Sequence, residues 1–183
     1  MRIQGKKLSA AMQKKGLSAD QLAQALAEPG FGVSDALRAV NNWTAGRDHP
    51  RCKAKNIRKI AELLSVRTAD ISKFTSEYNN HRGSPRKAKL LIDLIRGKSV
   101  TEAENLLTFT QKRAGANIKR ALLAARTEAE LADADTGALV VTEVTVDQGP
   151  VMKRFQPKDR GRAHSIHKFF SHITVSLEEK AAN

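Results

Sequence analysis

Between Gly149 and Phe170 the chain reads GPVMKRFQPKDRGRAHSIHKFF. Lys153, Arg154, Lys158, Arg160, Arg162 and Lys168 are opposed there only by Asp159, and His164 and His167 can add charge. Ammonium and guanidinium groups at this density bind phosphates and displace counterions from a polyanion. Met152, Phe155 and Phe169 are interleaved with them, and such side chains pack on bases or sugars of folded RNA. Other chemistries fit less well. His164-x-x-His167 has no third ligand type nearby, so no metal is expected. No Gly-rich phosphate loop, G-x-S-x-G or H-E-x-x-H occurs. The carboxylates are scattered and mostly have capping or turn explanations. No catalytic residue, no cofactor and no enzyme activity are expected.

The whole chain repeats this bias. Its 183 residues carry a formal charge of +13, with 40% hydrophobic and 4% aromatic residues. Such an excess of charge repels itself unless a polyanion neutralises it, and nucleic acid is the leading partner. An acidic membrane surface is the second candidate. No apolar run approaches the roughly 18 residues of a spanning helix, and the start, MRIQGKKLSAAMQKKG, has no apolar block of signal-peptide type. Cys52 is the single cysteine, so neither an intramolecular disulfide nor a Cys-rich zinc site can form. A cytoplasmic protein is expected.

The sequence changes character at TSEYNNHRG, Thr75 to Gly83, which reads as a linker over residues 75–83. Residues 1–74 read as an all-α bundle of short helices. Leu8, Ala11 and Met12 share one face; Ser18 can cap a helix carrying Leu22, Ala25 and Leu26. AEPGFG breaks that helix. Ala36, Leu37, Val40 and Trp43 follow, AGRDHP breaks again, and Ile57, Ile60, Ala61 and Leu64 mark the last helix. Trp43 is expected in the core.

Residues 84–183 read as α+β, helices on a small antiparallel sheet. Ser84 followed by Pro85 marks a helix start, and Gly97 its stop. TEAE at Thr101 to Glu104 is a capping box. A long helix from Thr110 to about Leu131 puts Ala114, Ile118, Ala121, Leu122 and Ala125 on one face. Its cations Lys112, Arg113, Lys119, Arg120 and Arg126 fall beside and opposite that face. They could be ordinary solvated charges, but no acid interleaves them between Gln111 and Arg126. ALVVTEVTVD alternates, with Val140, Thr142, Val144 and Val146 on one side, and HITVSLE alternates through Ile173, Val175 and Leu177. Both read as strands with one buried face.

The basic stretch joins these strands, and hairpins ordinarily need only about 2–5 linking residues. Either the segment is a disordered loop, or the strands extend outward as an arm at about 147–172 that reverses near QPKDRG. Pro157, Asp159 and Gly161 supply turn chemistry and favour the arm. An isolated two-stranded ribbon is marginal in water, so a partner should order it.

SPRKAKLLIDLIRGKSVTEAENLLTFTQKRA, with VTVDQGPVMKRFQPKDRGRAHSIHKFFSHITVSL, resembles the universal large-subunit ribosomal protein numbered twenty-two, over about Arg82 to Glu179. The resemblance implies a structural protein of the large subunit. It would bind 23S rRNA, aid assembly, touch other large-subunit proteins, and line the nascent-polypeptide exit tunnel with its hairpin. Carried over by position, Met152, Lys153, Arg154, Phe155, Gln156, Pro157, Lys158, Asp159, Arg160 and Gly161 form the hairpin tip region. Ser84, Arg86, Lys87 and Lys89, which match the SPRK start, and Lys98 of LIRGKSV would contact rRNA. So would Lys112, Arg113, Lys119 and Arg120, with Lys153, Arg154, Lys158, Arg160, Arg162 and Lys168 of the arm. The family usually enters the SPRK helix from a β-strand. YNNHRG lacks the β-branched residues for one, so a shortened or replaced first strand is expected.

The first half is additional to that family pattern. GLSADQLAQAL, VNNWTAGRDHP and IRKIAELLSV resemble the repressor-type helix-turn-helix group, whose recognition helix would span roughly Ser34 to Trp43. Asp35, Arg38, Asn41 and Asn42 would then face DNA. Against this, the segment between the second and third helices is longer than the motif requires. A packing scaffold whose charges touch rRNA or nothing is the competing reading, and the favoured one. A DNA-binding regulator, or a dual ribosomal and regulatory protein, remains the alternative.

Overall fold

The computed structural model describes residues 1–27 and 32–180. The chain divides into two compact units, Met1–Phe74 with Glu128–Asp135, and Thr75–Thr127 with Thr136–Asn183.

In the first unit, apolar residues at helical spacing build α1 (Gly5–Lys15), α2 (Ala19–Leu26), α3 (Val33–Thr44) and α4 (Ala54–Leu64), followed by the single turn α5 (Thr68–Ile71). Ser18 caps α2: its Oγ accepts from the Gln21 N–H at 3.3 Å, and Gln21 Oε1 accepts from the Ser18 N–H at 3.0 Å. The AEPGFG break falls mostly on residues 28–31, outside the described residues. Leu8, Leu22, Leu26, Val40, Trp43, Ile57, Ile60 and Leu64 form the core. Trp43 also satisfies its indole N–H, which donates to the Pro50 carbonyl at 2.7 Å. β1 (Arg2–Ile3) pairs antiparallel with Ser72 and Lys73, the start of β2 (Ser72–Arg82).

β2 corrects the linker reading. The segment expected to be a linker at 75–83, with its strand shortened or replaced, is a continuous strand as far as Arg82. Glu77, Asn79 and Asn80 are poor strand formers, but pairing in the sheet overrides propensity. Phe74 is fully buried, and the buried hydroxyls of Thr75 and Ser176 lie 3.1 Å apart. Farther along, the Asn80 N–H donates to His172 Nδ1 at 3.3 Å.

The second unit sets three helices, α6 (Pro85–Ile95), α7 (Val100–Phe109) and α8 (Arg113–Glu130), with β3 (Leu139–Pro157) and β4 (Ala163–Glu179). In the sheet β2 neighbours β4, and β4 pairs antiparallel with β3. The expected α8 face, Ala114, Ile118, Ala121, Leu122 and Ala125, is buried. So are Ala88, Leu91, Ile92 and Ile95 of α6. α6 begins with Pro85 after Ser84 and stops at Ile95, and Gly97 then takes φ +77°.

Three expectations shift here. α8 begins at Arg113, since Thr110 ends α7. Ser99, not Thr101, caps α7, its Oγ accepting from the Glu102 N–H at 3.3 Å. The reason is β3: the Gly97 N–H donates to Val141 O at 2.8 Å and the Val141 N–H to Lys98 O at 2.9 Å. These bonds hold the chain extended up to Ser99, which bridges Val140. Finally, β3 does not alternate without a break. A bulge between Val141 and Glu143 reverses the pleat. Leu139 and Val141 are buried before it and Val144 after it. Ile173, Val175 and Leu177 of β4 are fully buried, as the alternation required.

Candidate nucleic-acid interface

Beyond the core, β3 and β4 continue as a paired ribbon from Asp147 opposite His172 to Pro157 opposite Ala163. At about 3.3 Å per residue the arm is roughly 30 Å long. A second bulge, between Gln148 and Val151, marks its root. Every residue from Met152 to Phe169 is exposed. The tip closes through Asp159–Gly161, with the Lys158 N–H donating to Arg162 O at 2.7 Å. Arg160 and Gly161 take φ +54° and +70° there, the second at little cost because glycine has no Cβ. The expected arm and its turn are present, and Met152 to Gly161 run from mid-arm, where Met152 pairs with Lys168, to the reversal.

Residues opposite in register share a face of the ribbon. Met152, Arg154, Gln156, His164, Ile166 and Lys168 lie on one face by the pairing; Lys153, Phe155, Ser165, His167 and Phe169 lie on the other. Each face thus mixes cations with apolar or aromatic surface. Phe155 is 76% exposed and Met152 44%. The Arg154 guanidinium donates to Lys153 O at 2.8 Å and lies 3.8 Å from Met152 Sδ. His167 meets Phe169 edge-on, ring centroids 6.3 Å apart. His164 and His167 point to opposite faces, so they cannot share a ligand. Among the described residues no cluster of three metal-ligating side chains occurs.

On and beside the helices the cations separate into two kinds. Arg86, Lys87 and Lys89 of α6 are exposed, as are Lys112, Arg113 and Arg120, while Ser84 is half-buried. Lys98 instead pairs with Glu102 at 2.9 Å. Lys119 and Arg126 pair with Glu104 of α7 at 3.2 and 3.6 Å, and Lys119 also donates to Thr108 Oγ1 at 2.9 Å. α8 itself carries no acid among these cations, but its packing partner brings one. The absence of acids within one helix does not make its basic face uncompensated.

Sequence reasoning missed His81. It is 3% exposed, and its Nδ1 lies 2.6 Å from Asn117 Nδ2. Burial, and secondarily the nearby Arg113 charge, hold its pKa below the ordinary histidine value. The neutral ring, its Nδ1 accepting from Asn117, packs so that a Cβ on Gly83 would meet Nε2 at 2.5 Å. His81 thereby fixes the chain just before Ser84, Arg86 and Lys87. A lone histidine has no periodicity to reveal this; only the adjacent glycine hinted at a close approach.

In the first unit Asp35, Arg38 and Asn41 of α3 are exposed. Asn42 is half-buried and its amide donates to His49 O at 2.9 Å, so it is held by the loop.

A small sheet, three helices and a long basic ribbon define a protein whose exposed surface suits a polyanion. The sequence matches the family described as Ribosomal protein L22p/L17e over residues 76–178, more than half of the chain, and the chain belongs to that family. The match begins before the SPRK motif and takes in most of β2. Relatives include the large ribosomal subunit protein uL22 of Desulfosudis oleivorans, 46% identical over 101 residues, covering 55% of this chain and 89% of that one. The uL22 of Syntrophus aciditrophicus is 46% identical over 110 residues, 60% of this chain and 98% of its own. That of Syntrophotalea carbinolica is 46% identical over 100 residues, 54% and 91%. The relatives are thus covered almost whole, and this chain only by a little more than half.

Proposed function

We infer that this chain is a non-enzymatic structural constituent of the large ribosomal subunit, located with it in the cytoplasm. It binds 23S rRNA, aids subunit assembly, and contributes its arm to the wall of the nascent-polypeptide exit tunnel. The arm carries this reading. A ribbon roughly 30 Å long, exposed on both faces and basic on both, has no reason to persist except against a partner that surrounds it. An rRNA interior supplies phosphates for Lys153, Arg154, Lys158, Arg160, Arg162 and Lys168, and bases or sugars for Met152 and Phe155. Arg86, Lys87, Lys89, Lys112, Arg113 and Arg120 extend the same contact onto the body. Ser84 helps to set the α6 start; Lys98 and Lys119 would have to share themselves with their carboxylates. At the tip, Gln156, Pro157, Asp159 and Gly161 shape the reversal that faces a passing nascent chain. No described helix is long and apolar enough to cross a membrane.

A duplex-DNA regulator acting through α3 has less behind it. Its exposed stripe offers one cation, Arg38, beside the acid Asp35, and Asn42 is already engaged.

The test is sedimentation of a tagged copy from cell lysate through a sucrose gradient at moderate salt. Near-stoichiometric migration with large subunits and whole ribosomes is the expected outcome. A pool that stays at the top, or follows the nucleoid, would overturn the reading. With purified protein, the variant Lys158→Gln/Arg160→Gln/Arg162→Gln should make the log–log salt dependence of 23S rRNA binding shallower by about 2, at roughly 0.7–0.9 per lost phosphate contact.

A further inference from the structure

Residues 47–59 of the first unit read RDHPRCKAKNIRK. They form the loop from α3 to α4 and the first turns of α4. Arg47, Arg51, Lys53, Lys55 and Arg58 are all exposed. The one acid in this stretch, Asp48, is turned to internal use. Its Oδ1 accepts from the Cys52 N–H at 3.2 Å, and its Oδ2 lies 3.8 Å from Arg2 Nε. Among the described residues Arg47, Arg51, Lys53 and Arg58 form no ion pair.

Exposed cations on a loose loop would call for no explanation. This loop is tied at several points. The Arg47 N–H donates to Asn42 O at 2.8 Å, the Asn42 amide to His49 O at 2.9 Å, and the Trp43 indole to Pro50 O at 2.7 Å. Cys52 plugs the core beneath it at 2% exposure. A loop already held in one conformation loses little freedom on binding. α4 adds a second sign. It has no acid in its first turn, and Lys53 stands at its N-cap without a side-chain cap bond. Cations there oppose the helix dipole and repel one another. A phosphate backbone relieves both conflicts at once. By contrast, the exposed stripe of α3 nearly cancels its own charge.

We propose that the α3–α4 loop and the first turns of α4 form a second RNA-binding surface, which grips the phosphate backbone of rRNA without reading its sequence. The proposal rests on the ribosomal function above and extends it to the half of the chain outside the family match. The gripping groups are Arg47, Arg51, Lys53 and Arg58, with Lys55 at the edge. Because the contacts are ionic and go to phosphates, they set affinity and salt dependence rather than base preference.

The experiment uses the full chain with protein-free 23S rRNA and, separately, a random-sequence DNA duplex as probes. The variant is Arg47→Gln/Arg51→Gln/Lys53→Gln/Arg58→Gln, with far-ultraviolet circular dichroism reporting its fold. The expected result is a salt dependence shallower by about 3 for rRNA, at roughly 0.7–0.9 per lost contact. One stretch of hydroxyl-radical protection on the rRNA should vanish while the rest persists. An unchanged slope and footprint overturns the proposal, and so does a loss confined to the DNA duplex, which would make DNA the occupant. The arm variant described above is the control. If it alone changes rRNA binding, this surface fails and the ribosomal reading stands; if neither does, that reading itself falls. Should the fourfold variant misfold, Arg51→Gln and Arg58→Gln singly should each cost about 0.7 in slope, and no change in either overturns the proposal.

Discussion

Ile166 and Ile173 stand on one strand, β4, paired with β3 on either side of the second bulge, and they meet opposite surroundings. Ile173 is fully buried at the base of the ribbon, while Ile166 is 36% exposed on the arm. The base contributes Val141, Val144, Val175 and Leu177 to a core shared with helices; the arm contributes no residue to any core between Met152 and Phe169. Backbone pairing is the same in both. What differs is the side-chain environment: the base has hydrophobic burial to stabilise it, and the arm has none. Regular secondary structure is therefore not evidence of independent stability here.

The sharpest way to break this comparison is to shorten both isoleucines. Ile173→Ala should lower unfolding stability by about 2–5 kcal/mol, the usual cost of emptying a buried site. Ile166→Ala should cost less than about 0.5 kcal/mol in the free protein. Equal losses in urea melts would show that the arm is supported by the body after all. Next in size is the junction that holds the base of β3. Ser99→Ala should cost about 1 kcal/mol through loss of the α7 cap, and Thr101→Ala distinctly less. The reverse order would restore TEAE as the cap.

A smaller effect is tied to pH. Folding holds the pKa of His81 down, so the unfolded chain takes up that proton first as pH falls. This contribution is complete above about 6.5, and it declines as pH drops below that value toward the lowered folded pKa. Urea midpoints measured across this window should fall less in His81→Gln than in the parent. Smallest of all, Phe155→Ala should leave the melt within about 0.5 kcal/mol of the parent yet weaken incorporation into large subunits. A large stability loss with normal incorporation would invert the roles assigned to base and arm.

The arm was legible because its composition contradicts its position: a basic stretch too long for a turn, with no apolar face, between two alternating segments. The α8 face was legible for the opposite reason, since a periodicity of small apolar residues has few other uses. β2 was hidden because Glu77, Asn79 and Asn80 read as a polar linker without β-branched residues, and what overrides them is contact with β4, distant in sequence. The α7 cap was misplaced because two hydroxyl residues lie close together and only the bond pattern to β3 chooses Ser99. The ion pairs of Lys119 and Arg126 were invisible for the same reason, their partner Glu104 being on another helix. Among the candidate residues, the placement of those on the arm could be read from local sequence alone. His81 could not, since its role depends on Asn117 and Gly83 meeting in space.

The two bulges of β3 have a consequence for how this ribbon can change over time. Each inserts a residue into β3 that β4 does not match. Since side chains alternate with a period of two, one insertion turns over everything beyond it and a second turns it back. The pair behaves like two compensating frameshifts in a message. Removing Thr142 alone, a surface residue at the base, would exchange the arm's faces, putting Lys153 and Phe155 where Met152 and Arg154 had been. The arm's chemistry is thus written partly in a residue that never approaches it, and single deletions in this strand should be inherited in pairs or not at all.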